Sequence, residues 1–261
     1  MNILQVDNLK TYFYTQHDIV KAVNDISFKI KDNTVFGLVG ESGSGKTLTV
    51  LSILRLVPEP GKIMGGQILF DGRDLLAMDE EYLRSVRGSR ITMVFQEPSS
   101  AFNPVFTIGY QIAEAILAHQ KIGEGKARES AMEYLKKVRI SDPKKIFYDY
   151  PHQLSGGTKQ RAMIAMALVN KPELLIMDEP TTALDVTIQA EILDLLKEII
   201  ELEKLSILFI SHDFGIIAKM CDEVGVMHGG KIVEMGSAHN ILTSPKEEYT
   251  ISLLESVKAL A

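Results

Sequence analysis

One segment constrains the fold of this chain more than any other: a glycine-rich stretch between an apolar run and a helical pattern. Residues 35–39 (VFGLV) are apolar, residues 40–47 (GESGSGKT) contain three glycines, and leucines recur at helical spacing from Leu48. Glycines let a turn aim several backbone N–H groups at one point, and a helix that begins there adds its positive end. The sequence therefore predicts a strand–loop–helix unit with an anion site at the turn.

The predicted anion is the phosphate chain of a nucleoside triphosphate. Residues 40–47 match the phosphate-binding loop pattern at every required position. Lys46 supplies a fixed positive charge for the β- and γ-phosphates, and the hydroxyl of Thr47 supplies a ligand for Mg²⁺. The residues expected to contact the nucleotide here are Gly40, Glu41, Ser42, Gly43, Ser44, Gly45, Lys46, Thr47 and Leu48.

A second segment carries paired carboxylates at the end of an apolar run. Residues 174–177 (LLIM) predict a buried strand, and Asp178 and Glu179 follow it directly. In a parallel sheet such a strand end lies at the edge where ligands bind. We expect Asp178 to hold Mg²⁺ through water and Glu179 to orient and deprotonate an attacking water molecule.

Apolar patterns place the remaining elements. About the first 35 residues alternate in the manner of antiparallel strands, and helical patterns without a strong strand run from Gln96 to Asp149. The chain is predicted to be an α/β protein with a mainly parallel sheet, an N-terminal antiparallel β subdomain and an inserted helical subdomain. The predicted strands cover 67–70, 91–95, 174–177 and 207–210, with a hairpin over 225–234.

We expect a single domain over residues 1–261. The nucleotide-binding core with its β subdomain is predicted in 1–95 and 166–261, and the helical subdomain in 96–165.

Composition narrows the class of protein. A net charge of −6 and a pI of about 5.6 argue against nucleic acid as a partner. A single cysteine, Cys221, excludes an internal disulfide and a cysteine-built metal cage. The first residues do not read as a signal peptide, and no apolar run approaches the roughly 20 residues of a spanning helix. We expect a soluble, intracellular chain that would need other chains to span a membrane.

Five motifs stand in a recognisable order. They are GESGSGKT at 40–47, LSGG at 154–157, LLIMDE at 174–179, TALD at 182–185 and SHD at 211–213. In order and spacing they resemble the ATPase domains of ABC transporters over essentially the whole chain. The resemblance implies a P-loop NTPase core of the RecA-like type, ATP and Mg²⁺ as ligands, and a chain that works as one half of a dimer clamped around two ATP molecules.

The resemblance also implies roles for single residues. Gln96 touches Mg²⁺ or water and joins Thr47 and Asp178 as a metal-site residue, while His212 contacts the γ-phosphate. Lys46, Gln96, Glu179 and His212 form the implied catalytic set. The residues implied to contact ATP held by the other subunit are Ser155, Gly156, Gly157 and Asp185.

The adenine ring is expected to stack on Phe13. Tyr12 and Tyr14 are alternatives for this role, and packing of Phe13 in the core is the alternative to any ligand contact. All three aromatic residues precede the AVNDISF segment at 22–28.

Several phrases resemble one branch of the family, the oligopeptide, dipeptide and nickel importer ATPases. They are residues 95–109, MIAMAL at 163–168, DEPTTALDVTIQAEIL at 178–193 and the tail at 244–254. MIAMAL with PTTALDVT is similar to the first of the two unlike ATPases in those systems. Since the chain ends soon after the tail, without the cysteine-bearing extension of larger members, a nickel or metal-chelate importer stands as the alternative to a peptide importer.

The resemblance implies the following partners. They are a second, non-identical ATPase or a second copy of this chain, two membrane-spanning permease subunits, and an extracytoplasmic substrate-binding protein reached through the complex. It implies a peripheral position at the cytoplasmic face of the cell membrane. A soluble ABC ATPase of DNA repair or translation is the remaining alternative, although the chain has no zinc module, long coiled coil or second ATPase domain.

Overall fold

The computed structural model describes residues 1–15, 18–182 and 184–258. The chain divides into two compact units, which we call unit 1 (Met1–Leu83 and Ser206–Ala261) and unit 2 (Arg84–Leu205). The predicted boundaries between the nucleotide-binding core and the helical subdomain, at 95/96 and 165/166, stay a prediction.

Ten strands and eleven helices are present in the described residues. The strands are β1 Asn2–Tyr14, β2 Ile19–Lys31, β3 Val35–Val39, β4 Gly61–Phe70, β5 Arg73–Asp74, β6 Ile91–Val94, β7 Leu174–Asp178, β8 Ser206–Ser211, β9 Glu223–His228 and β10 Lys231–Ser237. The helices are α1 Lys46–Ile53, α2 Glu80–Val86, α3 Pro98–Ala101, α4 Ile108–Leu117, α5 Glu124–Lys137, α6 Pro143–Tyr148, α7 Gly156–Leu168, α8 Val186–Glu203, α9 Phe214–Met220, α10 Ala238–Thr243 and α11 Glu248–Lys258. A 3₁₀ turn covers Pro151–Gln153.

An antiparallel sheet forms the start of unit 1, as predicted. Its strand order is β2-β1-β4-β5, and Leu4 of β1 pairs with Ile30 on one side and Phe70 on the other. All three of these side chains are fully buried, so the alternating pattern encodes one inward face. β4 begins earlier than the predicted 67–70 strand, because its glycine-rich first half pairs with β1 although it contributes little apolar surface.

Parallel pairing dominates the second group of strands in unit 1. β3 lies between β8 and β9 and is parallel to both, and β10 closes the predicted hairpin antiparallel to β9. Every residue of β3 and β8 is buried, which explains why VFGLV in β3 and ILFI in β8 lack charged residues. Because Val39 is opposite Ser211, the segments that follow β3 and β8 start from the same edge.

Unit 2 contains a parallel strand pair and a series of helices. β6 and β7 run in register from Ile91 opposite Leu174 to Val94 opposite Met177. The helices between them confirm the predicted helical insertion, and Ile108, Ile112 and Ile116 give α4 a fully buried stripe at a spacing of four residues. The α/β class, the parallel strands and the antiparallel N-terminal sheet are thus as predicted.

Within the described ranges, none of the helices combines the length and the apolar character that crossing a bilayer requires.

Candidate functional site

The glycine-rich loop of unit 1 is fixed by close approaches between backbones. A Cβ atom on Gly40 would lie 2.1 Å from the carbonyl oxygen of Met227, and one on Gly45 would lie 2.3 Å from that of Ala22. Gly45 also has a φ of +109°, a left-handed conformation that side chains rarely adopt. The loop therefore depends on glycine at both ends and is held between β2 and the end of β9.

Lys46 is the buried cation of this loop. Its side chain is only 5% exposed, and its Nζ donates to the carbonyl oxygens of Gly40 at 2.8 Å and Glu41 at 2.9 Å. Burying an ammonium group costs several kcal/mol unless it is compensated. The loop carbonyls offset part of that cost and fix the charge in the loop, where it can attract an anion.

The start of α1 fits a phosphate group. Gly45 occupies the N-cap position and offers no side chain to the helix N–H groups. Ser44 is buried, and its hydroxyl has no hydrogen-bond partner within the part of the chain that the structure describes. Both observations suit an anion that supplies acceptors. Thr47, in the first turn, is exposed and carries the hydroxyl oxygen that Mg²⁺ prefers.

His212 follows β8 at the same edge from which the loop leaves β3. The His212 side chain is exposed. Its sequence neighbours Ser211 and Asp213 are both held by hydrogen bonds. The hydroxyl of Ser211 accepts from the N–H of Asp213 at 2.9 Å, and the carboxylate of Asp213 caps α9 by accepting from Gly215 N at 2.7 Å. The backbone around His212 is thus set by local hydrogen bonds, and the parallel pairing of β3 with β8 places it next to the loop's starting edge.

Unit 2 brings Gln96 and Glu179 together. The side-chain amide of Gln96 donates to Oε2 of Glu179 at 3.2 Å, and the Thr182 hydroxyl donates to the same oxygen at 3.0 Å. Glu179 has a φ of 46°, a conformation that costs a non-glycine residue free energy and is found most often at functional sites. Thr182 was not predicted as a site residue, although its place in the TALD motif was a usable signal.

Asp178 precedes this pair at the buried end of β7, with a side chain only 3% exposed. Carboxylate and amide oxygens are ligands that suit Mg²⁺. Since Gln96 uses its nitrogen toward Glu179, its carbonyl oxygen remains the acceptor end of the amide. Asp178 and Gln96 therefore have the donor chemistry expected of metal-site residues.

Two of the residues expected to contact ATP of the other subunit, Ser155 and Asp185, are helix N-caps in unit 2. The hydroxyl of Ser155 caps α7 by accepting from Thr158 N at 3.3 Å, and the carboxylate of Asp185 caps α8 by accepting from Ile188 N at 3.0 Å. A Cβ atom on Gly157 would lie 2.7 Å from Ile188, so the two helix starts are packed together. Ser155 and Asp185 are both exposed. Ala183, in the TALD motif that also contains Asp185, lies outside the described residues.

The three candidate adenine-stacking residues have different surroundings in β1. The Phe13 ring is half-buried and packs against Gly61, its partner residue in β4. The Tyr12 hydroxyl donates to Asn24 at 2.9 Å, and that of exposed Tyr14 donates to the sulfur of Met64 at 3.3 Å. The stacking role of Phe13 stays a prediction.

Comparisons with known proteins give a consistent result. Residues 23–182 match the family model described as ABC transporter. The dipeptide transport ATP-binding protein of Escherichia coli is 43% identical over 261 residues, covering 100% of this chain and 80% of its own. The oligopeptide transport ATP-binding protein AppD of Bacillus subtilis is 44% identical over 259 residues, covering 99% of this chain and 79% of its own.

A solved structure shows the same fold. An ATP-binding cassette, solved as the dimeric structure of a post-hydrolysis state bound to ADP and Pi, superposes with a TM-score of 0.81 at 24% identity. The match covers 90% of this chain and 98% of the other.

The Glu179→Gln variant should bind ATP but lose turnover by about 10²- to 10⁴-fold, because the amide cannot accept the proton of the attacking water. Steady-state phosphate release and equilibrium ATP binding measure the two effects. Glu201→Gln, which changes an exposed carboxylate on α8, should keep normal turnover. A loss of only severalfold in Glu179→Gln would exclude Glu179 as the key carboxylate.

Proposed function

Because the chain belongs to the ABC transporter family and is an ATP-binding, ATP-hydrolysing subunit, we propose that it powers the import of peptides through a membrane transporter. The observation that carries this proposal is the likeness to dipeptide and oligopeptide transport ATP-binding proteins over 100% and 99% of the chain. The likeness extends through the helical insertion and the tail, which lie outside the motifs common to all ATPases of this kind.

The chemistry divides among the residues described above. Lys46 directs its charge to the β- and γ-phosphates, and the α1 N–H groups bind phosphate oxygens. Thr47, Gln96 and Asp178 would hold Mg²⁺, which when bound neutralises charge on those oxygens.

Two residues act on the γ-phosphate side of the reaction. Glu179, with Oε2 fixed by Gln96 and Thr182, orients the attacking water and accepts its proton. His212 donates to the γ-phosphate. Stabilising charge that develops during transfer is the larger part of catalysis in phosphoryl transfer.

Peptides are favoured over nickel as cargo. Both named relatives carry peptide names, and neither is a metal transporter or a soluble repair or translation factor. Nickel or a metal chelate is the second candidate and is separated from peptides by direct measurement.

Transport by the reconstituted complex tests the cargo. With the chain, its permease subunits and its binding protein in lipid vesicles, a labelled dipeptide or oligopeptide should accumulate only with ATP, and phosphate release should rise with it. The Glu179→Gln complex is the matched negative control. ATP-dependent accumulation of ⁶³Ni²⁺ without peptide accumulation would overturn the peptide assignment and leave the ATPase assignment standing.

The proposal includes a second ATPase as partner. Ser155, Gly156, Gly157 and Asp185 would contact ATP bound to the other subunit, and the exposure of Ser155 and Asp185 supports such a contact. This chain contains the motifs that would bind its own ATP and also those that would contact ATP of the other subunit. It could therefore supply its share of both ATP sites in a homodimer or in a heterodimer. We favour a non-identical partner, as in the two-ATPase importers that the motifs resemble.

A groove in unit 2 supports a contact with the permease. α4, α5 and α6 enclose a cavity of about 670 Å³ lined in part by Tyr110, Leu117 and Tyr148. The ring of Phe106 stacks on that of the lining residue Tyr110, with ring centres 4.9 Å apart. Phe106 is 42% exposed and Tyr110 is 49% exposed. A groove of this size, in which aromatic side chains lie beside Glu114, Glu124 and Arg128, suits one amphipathic helix of a membrane-spanning subunit. Through that contact the chain would lie at the cytoplasmic face of the membrane.

Mass analysis of the intact transporter with ATP bound tests this composition. We expect one copy of this chain, one similar but non-identical ATPase and two membrane-spanning subunits. Phe106→Glu, which places a charge on the groove rim, should release the permease and retain ATP binding. Two copies of this chain without a second ATPase would overturn the heterodimer, and a permease retained in Phe106→Glu would remove the groove from the interface.

A further inference from the structure

The tail residue Tyr249 lies against the nucleotide loop, although none of the roles above includes it. Its ring is 3.9 Å from the His228 imidazole, centre to centre, at an angle of 37°. Its hydroxyl oxygen accepts a hydrogen bond from the backbone N–H of Glu41 at 3.4 Å. Tyr249 therefore joins α11 both to the loop and to the end of β9.

The position of Tyr249 is set independently of the loop. The carboxylate of Glu234 in β10 accepts from the backbone N–H of Lys246 at 2.8 Å and of Glu247 at 3.2 Å, directly before α11. Thr250 and Leu254 are buried on the same helix. These contacts hold the start of α11 from β10, so Tyr249 reaches the loop from a fixed support.

The β9–β10 turn connects the same support to the loop by a second route. His228, whose ring contacts that of Tyr249, is followed by Gly229 and Gly230. The N–H of Gly230 donates to the carbonyl of Ser44 at 3.0 Å. The loop is thus held by the turn at Ser44 and by Tyr249 at Glu41.

Glu41 links Tyr249 to the catalytic cation. Its N–H donates to Tyr249, and its carbonyl oxygen accepts from Lys46 Nζ at 2.9 Å. A shift of the Glu41 backbone would move one of the two carbonyls that fix Lys46. Burial, with the negative charge of Glu41 as a smaller cause, raises the pKa of Tyr249, so the phenol stays neutral at physiological pH.

We propose that Tyr249 is a positioning residue for ATP binding, which fixes the Glu41 backbone and through it the loop around Lys46. The inference rests on the proposed role of residues 40–47. A loop that is already ordered does not lose that conformational entropy when phosphate binds. Loss of Tyr249 should therefore weaken ATP binding more than it slows the chemical step.

Two substitutions in the assembled transporter separate the hydroxyl contact of Tyr249 with Glu41 from its ring contact with His228. Tyr249→Phe keeps the ring on His228 and removes the hydroxyl, and it should raise KM for ATP about two- to tenfold, the range of one ordinary hydrogen bond, with kcat within about twofold. Tyr249→Leu removes both and should raise KM further. Tyr82→Phe is the matched control, because it removes the hydroxyl of another half-buried tyrosine of unit 1, and its KM should not change.

A KM unchanged in both Tyr249 variants would overturn the inference. So would a fall in unfolding temperature and kcat together at constant KM, since that result describes a purely structural tyrosine. The Lys46→Ala variant distinguishes a failure of the Tyr249 role from a failure of the phosphate-site assignment at residues 40–47. If it loses ATP binding while both Tyr249 variants keep the normal KM, the Tyr249 role fails alone; if it binds ATP normally, the loop assignment itself fails.

Discussion

The structure depends first on the burial of one cation. Lys46 is placed inside a loop whose carbonyls at Gly40 and Glu41 accept its hydrogen bonds. A Cβ atom at Gly40 or Gly45 would lie 2.1 or 2.3 Å from a backbone carbonyl oxygen, so both positions require glycine. A charge held in this way stays desolvated and oriented before any ligand arrives. Preorganised charge of this kind is the main means by which an enzyme stabilises a phosphoryl group in transfer.

The strands explain how such a loop can be fixed. β3 is buried along its whole length between β8 and β9, so the loop leaves a rigid edge, and the turn after β9 closes on it at Ser44. In unit 2 the same logic applies to Glu179, which follows a fully buried strand and is fixed by Gln96 and Thr182. The two helix starts at Ser155 and Asp185 are also packed together, and Arg161 of α7 pairs with Glu191 of α8 at 2.8 Å. Each group of functional residues thus lies on elements whose burial determines their position.

Much of this was predictable from the sequence, for a physical reason. Buried parallel strands are uninterrupted apolar runs, so β3, β7 and β8 were predicted within one residue at either end. The five motifs at 40–47, 154–157, 174–179, 182–185 and 211–213 indicated the ABC transporter family, which the relatives and the family model confirm. Helical periodicity likewise predicted the insertion in unit 2.

The parts that were not predicted depend on contacts between distant segments. The first half of β4 is rich in glycine and is a strand because β1 supplies its hydrogen bonds. Thr182 donates a hydrogen bond to Glu179 and Tyr249 accepts one from Glu41, and no periodic pattern marks such a partner. The left-handed backbone of Glu179 is equally invisible in its sequence, since only its setting in the fold stabilises that conformation.

The binding of ATP to the Lys46→Ala variant tests the central claim most directly. Equilibrium titration at constant Mg²⁺ should show a loss of affinity of at least about 100-fold, because the phosphates lose charge-assisted hydrogen bonds from a buried cation. Lys29→Ala, which removes an exposed lysine from β2, should bind as the unchanged chain does. Full ATP affinity in Lys46→Ala would contradict the assignment of residues 40–47 as the phosphate site.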